Sequence, residues 1–224
     1  MPAADLTSYR AVHAALRLAP HRLAGAARTL DPHDHRRVKA LGRYWRGFAG
    51  EVLAHHTVED DNMFPALVEK VPVAAEMIER TDAEHHRLDE LMAACSDAVE
   101  RATHGSARAS SDLAGCFEAL AAHMDDHLDF EDADILPLFE RHFTAEEYSV
   151  LEDAAMKSLG IGAQAAFTVP FIAASVDPDT RDQIFGTAPG AFRVLYRLTR
   201  GRHARLDARV FGSARTGSRE GVTA

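Results

Sequence analysis

The sequence is poor in cysteine, with only Cys95 and Cys116, which do not form a CxxC pair. This scarcity argues against a disulfide framework and a thiolate-bound zinc site, and it indicates free thiols in a reducing compartment. Proline is scarce, at 9 of 224 residues, and β-branched residues are few, whereas alanine and leucine are abundant. That composition favours helices over β-sheet.

The chain also lacks a basic charge balance and a long uninterrupted apolar run. Its formal net charge of −9 argues against a dedicated nucleic-acid binder. The most apolar stretch, residues 158–176, is interrupted by two glycines, a glutamine and Pro170, so it is too short and broken to span a bilayer. Residues 1–10 lack the basic region and apolar run of a signal peptide. We therefore expect a cytoplasmic protein without a transmembrane segment.

An internal repeat is the most informative pattern that the chain does contain. Residues 55–67, HHTVEDDNMFPAL, align without a gap with residues 127–139, HLDFEDADILPLF, at an offset of 72 residues. Both segments contain His-x-x-x-Glu and, six residues after the glutamate, proline. Histidine and glutamate four residues apart share one face of a helix, so each pair can bind one ion. The same offset relates His13 to His85, which gives six candidate metal ligands: His13, His55, Glu59, His85, His127 and Glu131.

Start and stop signals predict four long helices. Long helices with modest connections form an antiparallel bundle, so the predicted fold class is all-α, an antiparallel four-helix bundle with a C-terminal helical extension. The expected bounds are residues 5–30 with a kink at Pro20, Asp31-Pro32 to about Pro65, a start just before His85 at the capping box Thr81–Glu84, and an end near Pro137.

A metal-free structural bundle is the alternative to a metal site. A single histidine on an apolar helical face is usually a packed core residue, but here four histidines obey one offset. Burying Glu59 and Glu131 without a cation would cost on the order of several kcal/mol each. The pattern therefore favours the metal site.

The chain resembles the hemerythrin-like, or HHE cation-binding, family over about residues 9–140. The motifs that carry the resemblance are His13, His55 and Glu59 ahead of Phe64-Pro65, Glu84-His85, and His127 and Glu131 ahead of Leu136-Pro137. The resemblance implies a non-haem di-iron centre, bridged by carboxylates and an oxo or hydroxo group, that reacts with oxygen, peroxide or nitric oxide. Imidazoles and carboxylates also suit manganese, whereas a structural zinc site would favour thiolates.

The chain departs from the oxygen-carrying hemerythrins that it resembles. Those carriers place a second histidine where this sequence has Asp89, so we expect fewer nitrogen ligands and a site less suited to reversible oxygen release. Asp89 is itself a candidate for a further ligand or for a residue that supports one. Their last helix uses His-x-x-x-x-Asp, a spacing that Asp132 satisfies. Glu131 and Asp132 are therefore alternative ligands, and the internal repeat favours Glu131.

Four further residues lie close to the motifs in the sequence. His123 stands one turn before His127 and is a candidate extra ligand. Tyr9 stands one turn before His13 and offers a phenolate, a hydrogen bond to a bound oxygen species, or only a packed aromatic ring. His56 and His86 point about 100° away from their ligand neighbours, so we expect them to be solvated or to support the ligands from outside.

The sequence of the last third of the chain predicts shorter helices. Thr144 to Glu147 form a capping box, and Asp177-Pro178 opens another helix. The arginine-rich segment 192–211 is amphipathic, so it is expected to contact an anionic membrane, an acidic protein surface, or the acidic bundle of its own chain. We expect the bundle at residues 1–140, the helical extension at 141–211 and a disordered tail at 212–224.

The functional hypotheses follow from the metal site. The first is a di-iron protein that binds or senses oxygen, peroxide or nitric oxide. The second is a catalase- or peroxidase-like di-iron enzyme, and the third is iron storage or a structural bundle. The resemblance implies a small diatomic gas or peroxide as the partner. No separate base, nucleophile, phosphate loop or cofactor fingerprint is visible in the sequence, which weighs against the enzyme hypothesis.

Overall fold

The structure is a computed structural model that describes residues 2–106, 108–159 and 162–212. The described residues form no β-strand, only an isolated bridge between Ala3 and Thr144. The α-helices are α1 (Thr7–Arg28), α2 (His35–Val58), α3 (Phe64–Lys70), α4 (Ala75–Thr103), α5 (Ala109–Phe130), α6 (Leu136–His142), α7 (Ala145–Leu159), α8 (Ala165–Ser175), α9 (Pro178–Thr187) and α10 (Gly190–Phe211). Helices α1, α2, α4 and α5 form the bundle, so the predicted all-α fold is confirmed.

Two apolar clusters divide the interior of the bundle. The larger cluster contains Leu16, Phe48 and Phe117, and Trp45 in it donates its indole N–H to Ser96 Oγ at 3.0 Å. The smaller cluster lies at one end of the bundle and includes Met63, Phe64, Leu67, Ile135 and Phe139. Each His-x-x-x-Glu motif stands in the chain between a stretch that packs in the larger cluster and one that packs in the smaller.

The glutamate of each His-x-x-x-Glu motif begins a π-helical turn. These turns span Glu59–Met63 and Glu131–Ile135, and the N–H that closes each is donated by the sixth residue to the glutamate carbonyl. Proline two residues after each turn has no N–H to donate and would crowd the carbonyl four residues earlier, so the wider turn accommodates it. The expectation that the helices end near Pro65 and Pro137 was wrong, because the chain stays helical to Lys70 and His142.

Two expected helix starts were wrong as well. Helix α4 begins at Ala75 rather than at the capping box, and the Thr81 hydroxyl donates instead to the Met77 carbonyl one turn earlier. The N-cap of α2 is Asp34, whose carboxylate accepts from the Arg37 N–H at 3.0 Å. Helix α1 continues through Pro20 without interruption.

The two predicted caps of the C-terminal helices are confirmed. Thr144 Oγ1 accepts from the Glu147 N–H at 3.3 Å while the Glu147 carboxylate accepts from the Thr144 N–H at 2.9 Å. Asp177 accepts from the N–H groups of Asp179 and Thr180 at the start of α9. The predicted tail at 212–224 lies, apart from Gly212, outside the described residues, and the boundaries near residues 140 and 211 stay predictions. Among the described helices, none combines the length and apolar composition needed to cross a membrane.

Two glycines allow α8 to pack closely on α2. A Cβ atom at Gly47 would lie 2.3 Å from the Phe167 ring, and one at Gly50 would lie 2.5 Å from Gln164 Oε1. Phe171 and Val210 complete this packing by joining the larger apolar cluster. The C-terminal helices are therefore seated directly on the bundle.

We predict that Gly47→Ala destabilises the protein by about 1–3 kcal/mol, because the rigid Phe167 ring has to move out of its place on α2. Thermal unfolding measures the change. Gly25→Ala in α1 is the matched control, since nothing lies within 4 Å of its added Cβ, and it should stabilise by roughly 0.5–1 kcal/mol. Equal melting temperatures for the two variants would contradict the close contact.

Candidate metal centre

The six side chains that the internal repeat singles out are all buried, and the most exposed of them, His55, is 7% exposed. The structure brings them, together with His56, into two groups, and within each group the ligand atoms lie within 4.8 Å of one another. Group A consists of His13, His55, Glu59 and Glu131, and group B of His56, His85 and His127.

The two carboxylates connect group A with group B. Glu59 directs Oε1 toward His55 Nε2 at 3.1 Å and Oε2 toward His85 Nε2 at 3.4 Å. Each oxygen of the carboxylate thus faces a histidine of a different group, as required of a carboxylate that bridges two cations. Glu131 repeats the arrangement, with Oε2 3.4 Å from His13 Nε2 and Oε1 3.7 Å from His127 Nε2.

Three of the imidazoles are oriented by acidic side chains behind them. The Nδ1 of His13 lies 2.8 Å from Asp132 Oδ1, and that of His85 lies 3.2 Å from Asp60 Oδ1. His127 Nδ1 lies 3.3 Å from Glu84 Oε2. An N–H donated to a carboxylate fixes the ring and leaves Nε2 free to bind a metal.

The supports of His13 and His85 are exchanged between the two halves of the repeat. Asp60 and Asp132 are related by the offset of 72 residues, yet each contacts the histidine of the other half. Asp132 therefore stands behind His13 and outside both groups, whereas Glu131 lies within group A. This placement favours Glu131 over Asp132 as the ligand.

The atoms that face the centre have no hydrogen-bond partner among the described residues. They are the Nε2 atoms of His13, His55, His56, His85 and His127, Oε2 of Glu59 and both carboxylate oxygens of Glu131. Isolated buried polar atoms cost about 1–3 kcal/mol each when unsatisfied, so a cluster of this size is rare without a ligand. The donor set, nitrogen and carboxylate oxygen around one space, fits two cations.

The electrostatics of the site lead to the same conclusion. Burial, strengthened by the nearby Glu59 carboxylate, raises the pKa of Glu131 well above its usual value. Burial lowers the pKa of His55 and His56, and it lowers the pKa of His127 to about 2. Burial also acts to lower the pKa of His85, but hydrogen bonds with Asp60 and Glu59 outweigh it and raise that pKa to about 9. His55, His56 and His127 are thus held as neutral ligands, and cations can replace the proton on Glu131.

His56 is the main residue that sequence reasoning misplaced. It is 5% exposed, and its ring stacks on that of His85 with centroids 3.9 Å apart. Adjacent residues on one helix can both face a centre that is surrounded by four helices, so the angle of about 100° between them did not exclude it. The repeat concealed His56 because the equivalent position is Leu128. His86, by contrast, is exposed as expected.

The other candidates lie around the groups. Tyr9 is buried beside group A, where its hydroxyl donates to Glu59 Oε1 and its ring centroid is 4.9 Å from that of His13. His123 lies outside both groups, with Nε2 3.4 Å from the Glu84 carbonyl oxygen. Asp89 is exposed and contributes to neither group.

Tyr9 and His56 make the two groups chemically different. The offset of 72 residues pairs Tyr9 with Thr81 and His56 with Leu128. Group A therefore has two imidazoles and an adjacent phenol, whereas group B has three imidazoles.

A cavity of about 270 Å³ adjoins group A. Tyr9 and His55 form part of its wall, and helices α7 and α8 cover it with mainly apolar side chains. Two acidic residues, Glu51 and Glu152, also line it, and neither arginine nor lysine is among its described lining residues. Sequence reasoning missed Glu51, although it stands one turn before His55 on the same face of α2. The Glu51 carboxylate is buried and accepts a hydrogen bond from the Thr168 hydroxyl on α8.

These features define a helical bundle that carries a buried histidine and carboxylate centre suited to cations. The family model of the hemerythrin HHE cation binding domain matches residues 5–139. The chain belongs to this family, which confirms the expected resemblance and the binding of cations as its general role. No curated protein and no solved structure matches the chain significantly.

We predict that His56→Ala lowers metal affinity by more than about tenfold, because it removes one of the three nitrogens of group B. Metal analysis after dialysis against a metal buffer measures the loss. His86→Ala is the matched control, since its side chain is 77% exposed. Equal metal contents in the two variants would place His56 outside the centre.

We predict that Glu131→Gln loses metal, whereas Asp132→Asn retains it with affinity weakened about 10–100-fold. A neutral amide cannot balance two cations, while Asp132 only orients His13. Asp60→Asn should match Asp132→Asn, because it gives the same support to His85. Metal titrations test the order, which is wrong if Asp132→Asn strips the metal and Glu131→Gln keeps it.

The cavity also predicts a pH dependence of stability. Burial, together with Asp5 and Asp153, raises the pKa of Glu152 to about 7. Since a free glutamate has a pKa of about 4.3, the proton on Glu152 favours the folded state at low pH, and this contribution is lost as the pH rises through about 7. Glu152→Gln should therefore give a gain in melting temperature that grows from pH 5 to pH 8. Glu146→Gln, an exposed change on the same helix, should give no such trend.

Proposed function

We propose that this chain is a non-haem di-iron protein whose centre reacts with, or senses, oxygen, peroxide or nitric oxide. The observation that supports the proposal most strongly is that Glu59 and Glu131 each direct one oxygen toward group A and the other toward group B. Two cations held side by side would repel each other, and carboxylates shared between them would reduce that repulsion.

The described residues divide into ligands for two ions. His13 and His55 would hold one ion, and His56, His85 and His127 the other, with Glu59 and Glu131 shared between them. Bound iron would supply electron transfer to a small molecule at an open coordination position. Manganese fits the same donors.

Access to the centre is from the cavity beside His55 and Tyr9. Its apolar walls favour neutral molecules such as oxygen, nitric oxide and hydrogen peroxide, because burying a charge without a partner is costly. Glu51 and Glu152 add negative charge, when ionised, that disfavours anions. The chain therefore selects small neutral reactants before they reach the metal position.

Tyr9 offers a proton next to this entrance. Its hydroxyl donates to Glu59 Oε1, and burial followed by the charges of Glu59 and Glu131 raises the pKa of Tyr9 well above its usual value. The phenol consequently stays protonated at neutral pH and acts as a donor. A hydrogen-bond donor beside the entrance supports the second candidate, a catalase- or peroxidase-like activity, in which the phenol would orient a bound peroxide by donating a hydrogen bond to it.

Oxygen carriage is less disfavoured than the sequence indicated. The nitrogen missing at Asp89 is matched by His56, which lies beside His85 and His127. The binding of oxygen and the turnover of peroxide thus have to be separated by experiment. Cys95 and Cys116 are free thiols, which supports a cytoplasmic location.

The purified protein should contain about two iron atoms per chain, since the ligands form two groups that share their carboxylates. Metal analysis measures the content, and anaerobic reduction followed by oxygen or peroxide, observed by visible absorption, measures the reaction. A reversible oxygen band supports binding, while rapid oxidation with peroxide turnover supports the enzyme. One metal per chain, or mainly zinc, would contradict the di-iron proposal.

A further inference from the structure

A second cavity, a groove of about 780 Å³, lies between α2 and α10 and is also lined by residues of α8. Seven of its lining residues are basic, and the described lining includes no aspartate or glutamate. We call it the basic groove, and its cationic residues are Arg36, Lys39, Arg43, Arg46, Arg202, Arg205 and Arg209.

None of these seven cations forms an ion pair within the part of the chain that the structure describes. Other arginines of this acidic protein do find carboxylates, as Arg22 does with Asp207 at 2.8 Å and Arg28 with Glu118 at 2.6 Å. The C-terminal segment packs on the bundle of its own chain, as one of the expected alternatives had it, but Arg202, Arg205 and Arg209 do not pair with its carboxylates. They face the basic side of α2 instead.

All seven residues are exposed, and together they make the groove a favourable place for an anion. Like charges that converge on one concave surface repel one another, and a chain with a net charge of −9 has carboxylates available to neutralise them. Guanidinium groups bind phosphate with two parallel hydrogen bonds, which makes a phosphate-bearing molecule the best-matched occupant.

The floor of the groove has different chemistry from its rim. Phe167 and Leu206 provide apolar surface, and His203 is 7% exposed with an Nδ1 that has no hydrogen-bond partner. Burial lowers the pKa of His203, so its imidazole is neutral and can exchange a hydrogen bond with an uncharged polar group. The floor therefore suits the ring of a ligand whose phosphates lie on the rim.

We propose that the basic groove binds a small phosphorylated molecule with an aromatic ring, of the nucleoside di- or triphosphate class. Its volume lies in the range of about 300–1,000 Å³ that is typical of small-molecule sites. A flat membrane surface would not fill a concave groove, and the apolar residues of α10 nearest the groove already pack on the core, where Val210 is fully buried and Leu206 partly buried. The proposal is independent of the metal centre, which uses none of these residues.

Isothermal titration with ATP, with tripolyphosphate and with inorganic phosphate tests the proposal on the full metal-loaded chain. One ATP should bind per chain, with an affinity that falls as salt increases and that exceeds the affinity for tripolyphosphate. The variant with Arg43→Ala and Arg205→Ala should bind ATP at least about tenfold more weakly, since it removes one cation from each wall. Its metal content should not change.

The matched control carries Arg101→Ala and Arg141→Ala, which remove two exposed cations outside the groove. An equal loss of ATP binding in the control would overturn the proposed site, and so would the absence of ATP binding to the unmodified chain. Equal affinities for tripolyphosphate and ATP would overturn the role of the floor. Val194 and Leu198 on α10 are exposed, so anionic vesicles and duplex DNA serve as further probes, and binding of either without ATP would refute a small-molecule site.

Discussion

The structure depends on the compensation of charge around two buried carboxylates. Glu59 and Glu131 are completely excluded from solvent, yet a carboxylate in such surroundings is costly unless cations or protons balance it. Burial lowers the pKa of His55, His56 and His127, so these three imidazoles supply dipoles rather than positive charge. The four helices therefore surround buried charge that requires cations, and the two apolar clusters provide the stability that offsets its cost.

The part of the centre that follows from the repeat was accessible from the sequence, since two segments with equal spacing place equivalent side chains on equivalent helical faces. The bundle and the six candidate ligands were predictable for this reason. His56 was not, because it has no counterpart in the second segment and its position depends on how four helices surround one space. The cavity and the position of Glu51 in its wall could not be predicted either, because helices that are distant in sequence form this cavity.

Local signals were less reliable where the tertiary structure satisfies the same groups in another way. Thr81 and Glu84 have the spacing of a capping box, but the Thr81 hydroxyl bonds within the helix and Glu84 turns toward His127. Pro65 and Pro137 are normally helix breakers, but a π-helical turn ahead of each removes the conflict. The caps at Thr144 and Asp177 formed as the sequence indicated, and Glu147 keeps its cap through Oε2 while Oε1 pairs with Lys70.

The exchanged supports of His13 and His85 bear on how such a chain could have arisen. Because Asp60 serves the second half and Asp132 the first, a single half-repeat would leave its histidine unsupported, whereas two identical helical hairpins related by a two-fold axis would complete each other. In a dimer of identical chains, however, every substitution occurs twice. Tyr9 opposite Thr81 and His56 opposite Leu128 can differ only when both halves belong to one polypeptide. Carrying both halves on one polypeptide thus allows one metal position to have a phenol beside it and the other to have a third imidazole.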